Sequence, residues 1–504
     1  MSENAALLLS GEGLTVETLT AAARGRPSVR LSEDAQARMA RSRAVIETAV
    51  AEGRPLYGVT TGLGARATEA LSAAALTAFS YDTLRGRAHA IGPALPREAV
   101  RAAMIVRLNG LATGASGASP AVAAHLAACL SADLTPLVGA IGSIGAADLV
   151  LGATMGRALI GEGRMLGEDG PVEAGAALAA AGLTPPELGP RDGLALANHS
   201  SFSAALAALA CHGAIVAVDA AQTAAALSCE AFRANLSPLY PRVLAARPQA
   251  GQETAASGLL ARLEGSALRE PGQARRLQDP ISIRCLAQIH GAALAAVDGL
   301  RAAVETEINA AADNPVVLPD SGDALSGGGF MTPMLTLSAE TAARALGMLA
   351  TAQLGRIKAL TTERLTGLPQ FLETGGGPSN GYAPMLKVAE ALTAQVLHAG
   401  AATPIFPSLN ADGVEDALTN APLAAQSLSE GVAALGRLTA LELVVSTTAI
   451  ELRAPERPAP FVAATAGKVR AISPPPDAHR SISQELEQLA EAVAEGAFSF
   501  ALPS

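Results

Sequence analysis

The 504-residue sequence is poor in aromatic side chains and contains no tryptophan. Phe and Tyr make up only 3% of the residues, so bulk must come from alanine, leucine and valine, which favours closely packed helices. Half of the residues are hydrophobic, and a chain of this length can bury a large core.

Positive charge is also scarce. The sequence contains 36 Lys and Arg but 46 Asp and Glu, so its net charge is −10. A surface that follows phosphates needs a basic excess, so we expect no nucleic acid partner. The four cysteines form no CxxC pair and indicate no disulfide framework. The first residues also lack the basic start of a signal peptide. We therefore expect a cytoplasmic protein.

Metal-ligand spacing and membrane-length apolar runs are missing as well. The seven histidines fall into no HExxH, HxH or similar pattern, so we expect no metal. The apolar run at 204–218 contains His212, ends at Asp219 and is shorter than the roughly 20 residues of a membrane span. It predicts a buried core helix, and we expect no membrane partner.

Apolar residues at the spacing of an α-helix, in contrast, recur along most of the sequence. Apolar residues in one segment step by three and four and so share a helix face: Leu294, Val297, Leu300, Val304 and Ile308. The DNP at 313–315 predicts the end of that helix, because proline disfavours a helical residue before it. Further helices are predicted over 149–160, 338–360, 384–398, 422–452 and 481–495. With strand-like alternation scarce, the sequence predicts a mainly α fold with helices long enough for a bundle.

Eight motifs in order resemble those of the aromatic amino acid ammonia-lyases, the histidine and phenylalanine ammonia-lyase family. They are YGVTTGLG (57–64), RAHAIG (87–92), RLNGLATGASG (107–117), GSIGAADL (142–149), GLALAN (193–198), QDPISIRC (278–285), EINAAADNP (307–315) and SGGGF (326–330). The resemblance implies a single chain over 1–504, with active-site loops in 1–205 and a central helical bundle with C-terminal helices in 206–504. It also implies a homotetramer of the histidine ammonia-lyase type, with active sites shared between subunits and a small-molecule substrate.

The family builds an electrophile, a methylidene-imidazolone, from its own Ala-Ser-Gly tripeptide. The glycine amide attacks the alanine carbonyl, and the serine loses its hydroxyl. The matching residues here are Ala146, Ala147 and Asp148. Ala147 has no β-leaving group, so the loop is degenerate and we expect no cofactor. An Ala-Ser-Gly tripeptide at 115–117 lies where the family has a different element, and we do not expect it to cyclise.

Several residues match family positions that hold or act on substrate. Tyr57 matches the general-base tyrosine, Arg284 the arginine that binds the substrate carboxylate, and Asn198 a polar contact near the same group. Lys387 stands where members often have glutamine, and Glu415 matches an acidic residue; together they are expected to bind a polar heteroaromatic ring.

Other matched residues complete the predicted site. His89 matches a family histidine that contacts the ring or carries protons, and Phe330, Tyr382 and Tyr57 are candidates for cation–π contacts with methylated nitrogen. Each of these residues also has an ordinary structural interpretation, as a packed ring, a paired surface charge or a core histidine. Three family positions depart from the common pattern: Ile281, 198–200 and 328–332.

The missing electrophile limits the choice of leaving group. A primary amine leaves poorly unless it is activated, whereas a trimethylammonium group leaves as a neutral amine. The sequence therefore predicts a lyase that eliminates trimethylamine from a histidine-derived betaine, as in the ergothionase branch, which converts ergothioneine to thiourocanate. Two alternatives stay open: an aromatic amino acid ammonia-lyase or aminomutase, and an inactive ligand-binding homologue. Hercynine and ergothioneine are not separable from these residues.

Overall fold

The computed structural model describes residues 6–72, 75–373, 380–475 and 481–500. Within them, helices dominate and the strands are three or four residues long. The helices are α1 Val16–Gly25, α2 Glu33–Ala51, α3 Leu76–Arg85, α4 Arg97–Ala112, α5 Pro120–Ser131, α6 Leu149–Leu159, α7 Ala174–Ala180, α8 Asp192–Ala197, α9 Ser201–Phe232, α10 Pro241–Leu244, α11 Gln252–Arg262, α12 Ile281–Arg284, α13 Leu286–Glu307, α14 Pro333–Leu360, α15 Glu363–Thr366, α16 Ala383–Ala399, α17 Asn410–Gly413, α18 Ala421–Arg453, α19 Pro460–Ile472 and α20 Ser483–Ala494. The predicted mainly α fold class is confirmed.

The described strands form four two-stranded sheets. They are β1 Leu7–Leu9, β2 Val29–Leu31, β3 Ile91–Ala94, β4 Gly139–Ile141, β5 Arg164–Leu166, β6 Pro171–Glu173, β7 Val316–Leu318 and β8 Asp323–Leu325. The pair β1–β2 is parallel, with Leu7 opposite Val29, and the other three pairs are antiparallel. Strand β4 leads directly into the degenerate loop at 142–148.

The chain divides into two compact units. The first contains residues 1–209, 301–337 and 403–426, and the second contains 210–300, 338–402 and 427–504. The first unit is therefore discontinuous in sequence, because two later segments return to it.

The first unit is built around α4, whose residues are buried along nearly its whole length. Helices α1, α2 and α5 pack against it. Helix α2 begins where Ser32 caps it, since the Ser32 hydroxyl accepts from the amide of Ala35 at 3.2 Å. A second group, α3, α6 and α8, packs together next to the loops that carry the predicted site residues.

The second unit has a buried ionic centre. Arg356 on α14 donates to both carboxylate oxygens of Glu442 on α18, at 2.6 and 2.9 Å, and both side chains are fully buried. Gln353 and Ser228 also donate to Glu442, at 3.0 and 2.6 Å. Such a pair tolerates burial because hydrogen bonds satisfy its charges, and removing one partner is costly.

Within the part of the chain that the structure describes, two segments are long and apolar enough to cross a membrane by length and composition, Asp192–Phe232 and α18. Most of each apolar window, 72% and 89%, is buried inside the protein. The predicted buried core helix at 204–218 is confirmed, because it lies inside α9, most of its residues are buried and none is exposed.

The end of α13 differs from the prediction. The helix ends at Glu307, before the DNP at 313–315. The side-chain amide of Asn309 donates to the carbonyl oxygens of Glu305 and Leu14, at 2.7 and 2.8 Å. Asparagine side chains compete in this way with the helical backbone, so Asn309 accounts for the earlier end.

Candidate active site

A cavity of roughly 1130 Å³ lies within the first unit. It is lined from six places in the chain: the loop at 57–71, α3 with the residues after it, the degenerate loop, the end of α8, the segment 314–331 and the segment 411–417. Four predicted site residues line this cavity: Tyr57, Asn198, Phe330 and Glu415. The structure therefore brings together residues that are distant in sequence.

Tyr57 is half-buried and is held by the glycine loop that follows it. Its hydroxyl oxygen accepts a hydrogen bond from the amide of Gly64 at 3.1 Å. Gly58 has a φ of 64°, and a Cβ there would lie 2.4 Å from the Leu194 side chain, so the turn requires glycine.

Arg87 lines the same cavity and is a residue to which the sequence assigned no role. Its side chain is half-buried, and its charge interacts with Tyr57 and Glu415. Burial lowers the pKa of Arg87, while these two groups act to raise it. Its position in the RAHAIG motif was the one sequence signal that pointed to it.

Phe79 on α3 is a second cavity residue that sequence reasoning missed. With Tyr57 and Phe330 it gives the cavity three aromatic side chains. No periodicity or motif set Phe79 apart from an ordinary helix residue. His89, in contrast, has an exposed side chain and does not line this cavity.

Three predicted site residues belong to the second unit. Arg284 is half-buried at the end of α12 and donates to the side-chain oxygen of Gln278. Lys387 is exposed on α16. Tyr382 is only 5% exposed, and its hydroxyl is hydrogen-bonded to that of Thr448 at 2.8 Å. Burial raises the pKa of Tyr382, and its buried ring does not favour a contact with substrate.

The degenerate loop keeps a defined backbone. Ala147 has a φ of 61°, and its amide donates to the carbonyl oxygen of Phe330 at 3.0 Å. The carbonyl oxygen of Gly145 accepts from the Thr419 hydroxyl at 2.9 Å. A Cβ on Gly145 would lie 2.0 Å from that hydroxyl, so only glycine fits there.

The side chains of this loop do not fit a methylidene-imidazolone. Ala147 offers a methyl group where a hydroxymethyl group is needed. The amide of Asp148, which would have to attack the Ala146 carbonyl, donates instead to the carbonyl oxygen of His199 at 2.7 Å.

The Asp148 side chain is fully buried and acts as a structural acceptor. It accepts from the hydroxyls of Ser143 and Ser203, at 2.6 and 2.7 Å, and from the Ser203 amide at 2.8 Å. Burial raises the pKa of Asp148, and these hydrogen bonds oppose that shift. The amide of Ser203 is in the first turn of α9, so Asp148 caps that helix.

The tripeptide at 115–117 has a structural place as well. Ser116 is buried, and its hydroxyl donates to Asp313 at 2.7 Å. Arg107 and Arg191 donate to the same carboxylate, which lowers the pKa of Asp313 to about 2 against the opposing effect of burial. The Ser116 hydroxyl is thus part of a buried ionic cluster.

Among the described residues, no group of three or more His, Cys, Asp or Glu side chains is placed to hold a metal ion.

Comparisons with known proteins agree with the observed fold. The family described as aromatic amino acid lyases matches residues 14–471. A histidine ammonia-lyase of Symbiobacterium thermophilum is 35% identical over 490 residues, covering 96% of each chain. The solved ergothionase of Treponema denticola, in complex with desmethyl-ergothioneine sulfonic acid, has a TM-score of 0.92 at 26% identity and covers 98% of this chain and 99% of its own. A histidine ammonia-lyase of Trypanosoma cruzi gives 0.91 at 27% identity, covering 98% and 94%. The chain therefore belongs to the aromatic amino acid lyase family.

Proposed function

We propose that this lyase eliminates trimethylamine from a histidine-derived betaine, converting ergothioneine to thiourocanate. The observation that carries the proposal is the loop at 146–148, where the position of the family's serine is taken by an alanine that has no hydroxyl to lose. The likeness to the ergothionase of Treponema denticola supports the same substrate class.

Loss of the electrophile is consistent with a substrate whose nitrogen is quaternary. A trimethylammonium nitrogen has no lone pair with which to attack a methylidene-imidazolone, so that group would be of no use. When the β-proton is removed, the C–H electrons form the Cα–Cβ double bond and the C–N electrons leave with nitrogen. Neutral trimethylamine departs without further protonation.

Tyr57 is the proposed base. It lines the cavity, and its oxygen accepts from the Gly64 amide, which holds the phenol oxygen in place for proton abstraction. Tyr57, Phe79 and Phe330 supply aromatic faces for the methylated cation. Asn198, in the same cavity, is proposed to contact the substrate carboxylate.

The remaining roles are proposed from the resemblance. Arg284 holds the carboxylate through paired hydrogen bonds, and Lys387 and Glu415 bind the ring. A lysine donor stabilises the negative charge that enters the ring as the β-proton leaves. His89 is proposed as a ring contact, and Tyr382 is left out because its ring and hydroxyl are buried. We propose that the enzyme works as a cytoplasmic homotetramer with shared active sites.

Histidine ammonia-lyase activity is the second candidate. It is favoured by the sequence relatives, because the protein from Symbiobacterium thermophilum at 35% identity carries that name. It requires activation of a primary amine, for which residues 146–148 offer no electrophile.

One experiment separates these functions. The protein is incubated with histidine, hercynine and ergothioneine in turn, and ammonia and trimethylamine are measured, with Y57F as the control. Trimethylamine released from ergothioneine supports the proposal. Trimethylamine released from hercynine alone would mean that the substrate carries the ring of hercynine and not that of ergothioneine. Ammonia from histidine overturns it. No turnover of any of the three, with equal ligand binding by wild type and Y57F, favours an inactive homologue.

A further inference from the structure

Tyr382 is anchored inside the second unit, although the sequence made it a candidate for substrate contact. It stands directly before α16, the helix that carries Lys387. Within the described stretch 380–388 it is the one buried residue, and the others are exposed or half-buried. Its amide donates to the carbonyl oxygen of Phe371 at 2.9 Å. Tyr382 is therefore the main attachment of the start of α16 to the rest of the unit.

The hydroxyl of Tyr382 joins a hydrogen-bond network whose direction is fixed. The Thr448 hydroxyl on α18 donates its one proton to the carbonyl oxygen of Val444 at 3.1 Å. The same hydroxyl accepts from Arg470 on α19 at 2.8 Å. A hydroxyl has two acceptor sites, so the second one faces the Tyr382 oxygen, 2.8 Å away. Tyr382 is therefore the donor in this bond, and its phenol is protonated.

Thr448 is a firm point of attachment because Arg470 is itself held from several sides. The Arg470 side chain is only 14% exposed, and it donates to both carboxylate oxygens of Glu451 on α18, at 2.8 and 2.7 Å. This paired geometry fixes the guanidinium in orientation as well as in position. Arg470 also donates to the carbonyl oxygen of Ser473 at 3.1 Å. Tyr382 thus ties the start of α16 to the place where an ion pair joins α18 and α19.

We propose that Tyr382 is a positioning residue that fixes the start of α16 and, with it, the Cα atom of Lys387. The inference rests on the proposed function in taking Lys387 as a ring ligand. Lys387 follows Tyr382 by five residues, which is about 7.5 Å along a helix axis. A lysine side chain is long and flexible, so the reach of its ammonium group depends on where the helix holds its Cα atom.

Hydrogen–deuterium exchange tests the anchor without substrate. Y382F and T448V each remove one side of the hydrogen bond between α16 and α18. T393V is the matched control, because the buried Thr393 hydroxyl donates only within α16, to the carbonyl oxygen of Ala389 at 2.8 Å. We expect Y382F and T448V to speed exchange in the peptide 380–390 by about three- to tenfold, as loss of one buried hydrogen bond allows. T393V should leave that peptide unchanged.

Turnover tests whether the anchor acts through Lys387. With ergothioneine as substrate, we expect Y382F to lower kcat about tenfold and to change KM little, because a lysine donor acts on charge that develops in the transition state. In a K387M background the same substitution should change kcat by less than about twofold. A merely structural role of Tyr382 would lower kcat by the same factor in both backgrounds.

Three results would overturn the inference. They are unchanged exchange at 380–390 in Y382F, an equal effect of T393V, and an equal loss of kcat with and without Lys387. Thermal melting of each variant shows that the comparison is made on folded protein. Because exchange needs no substrate, a failed substrate assay counts against the proposed function and leaves the test of the anchor standing.

Discussion

At the scale of single residues, Ala147 combines a left-handed backbone conformation with a side chain that cannot form the family electrophile. Ala147 adopts a φ of 61° and hydrogen-bonds through its amide to Phe330. A left-handed conformation costs a non-glycine residue about 1 kcal/mol, and the surrounding hydrogen bonds hold it in place. The loop thus has a defined conformation, although Ala147 lacks the hydroxyl from which the family electrophile forms.

The hydroxyl of Tyr57 is expected to be essential for turnover. We expect Y57F to reduce trimethylamine release from ergothioneine by roughly 100- to 10,000-fold, the usual contribution of a general base. Binding of the substrate, measured by calorimetry, should change little. Y240F, which removes a hydroxyl from the second unit, is the control and should retain activity. A Y57F enzyme with the wild-type rate would exclude Tyr57 as the base.

Restoring a serine at position 147 is expected to be insufficient for cofactor formation. Ring closure also needs the amide of residue 148, which is hydrogen-bonded to His199 and belongs to a fully buried aspartate. We therefore expect intact-mass spectrometry of A147S to show only the added oxygen of the substitution. A species lighter by two waters, mapped to the peptide at 142–149, would contradict this account.

At the scale of elements, the carboxyl end of α13 and the start of α6 place two acidic groups near each other. Glu307 is the last residue of α13, and Asp148 precedes α6. Burial raises the pKa of Glu307 to about 7, and the nearby Asp148 charge contributes in the same direction. A carboxyl group near Asp148 therefore changes charge near neutral pH.

This arrangement predicts a pH-dependent stability. The pKa of Glu307 in the folded protein, about 7, is above its ordinary value of 4.5, so the folded state binds the proton more tightly than the unfolded state. Stability is therefore lost as pH rises from about 4.5 to about 7. We expect E307Q to remove this loss, gaining about 2 kcal/mol relative to wild type between acidic and mildly alkaline pH, after allowance for partial exposure.

Urea unfolding at both pH values measures this gain in the free energy of unfolding. E305Q, on the same helix, is the matched control for loss of a carboxylate. A constant difference between E307Q and wild type across this pH window would show that Glu307 ionises normally in the folded protein.

At the scale of the whole molecule, the proposed site residues are distributed over both units. Tyr57 belongs to the first and Arg284 to the second. The family resemblance implies that an active site takes residues from more than one subunit. Sharing of an active site between subunits can therefore be tested by measuring activity.

We expect mixed oligomers of two inactive variants to regain activity. Y57F and R284M are each expected to be inactive, but a shared site can combine the intact Tyr57 of one subunit with the intact Arg284 of another. Random assortment yields up to about a quarter of the sites intact. The variants are co-expressed with different tags, purified through both tags and assayed. Activity no higher than that of either variant alone would place both residues within one subunit's site.

The sequence by itself determined the helical class and the chemistry missing at position 147. Helical periodicity and covalent structure are local, so they can be read from neighbouring residues. The predicted helices at 338–360, 384–398, 422–452 and 481–495 match the observed ones within a few residues at each end. Family motifs also indicated Tyr57, Asn198, Phe330 and Glu415, which the fold gathers around one cavity.

Only the tertiary structure decided which side chains share an environment. It placed Arg87 around the same cavity as Tyr57 and Glu415, used Asp148 to cap α9, and buried the ring of Tyr382. Desolvation and Coulomb interactions depend on distances through space and on the water that packing excludes. Neither these distances nor the exclusion of water can be inferred from the order of residues along the chain, so both required the folded structure.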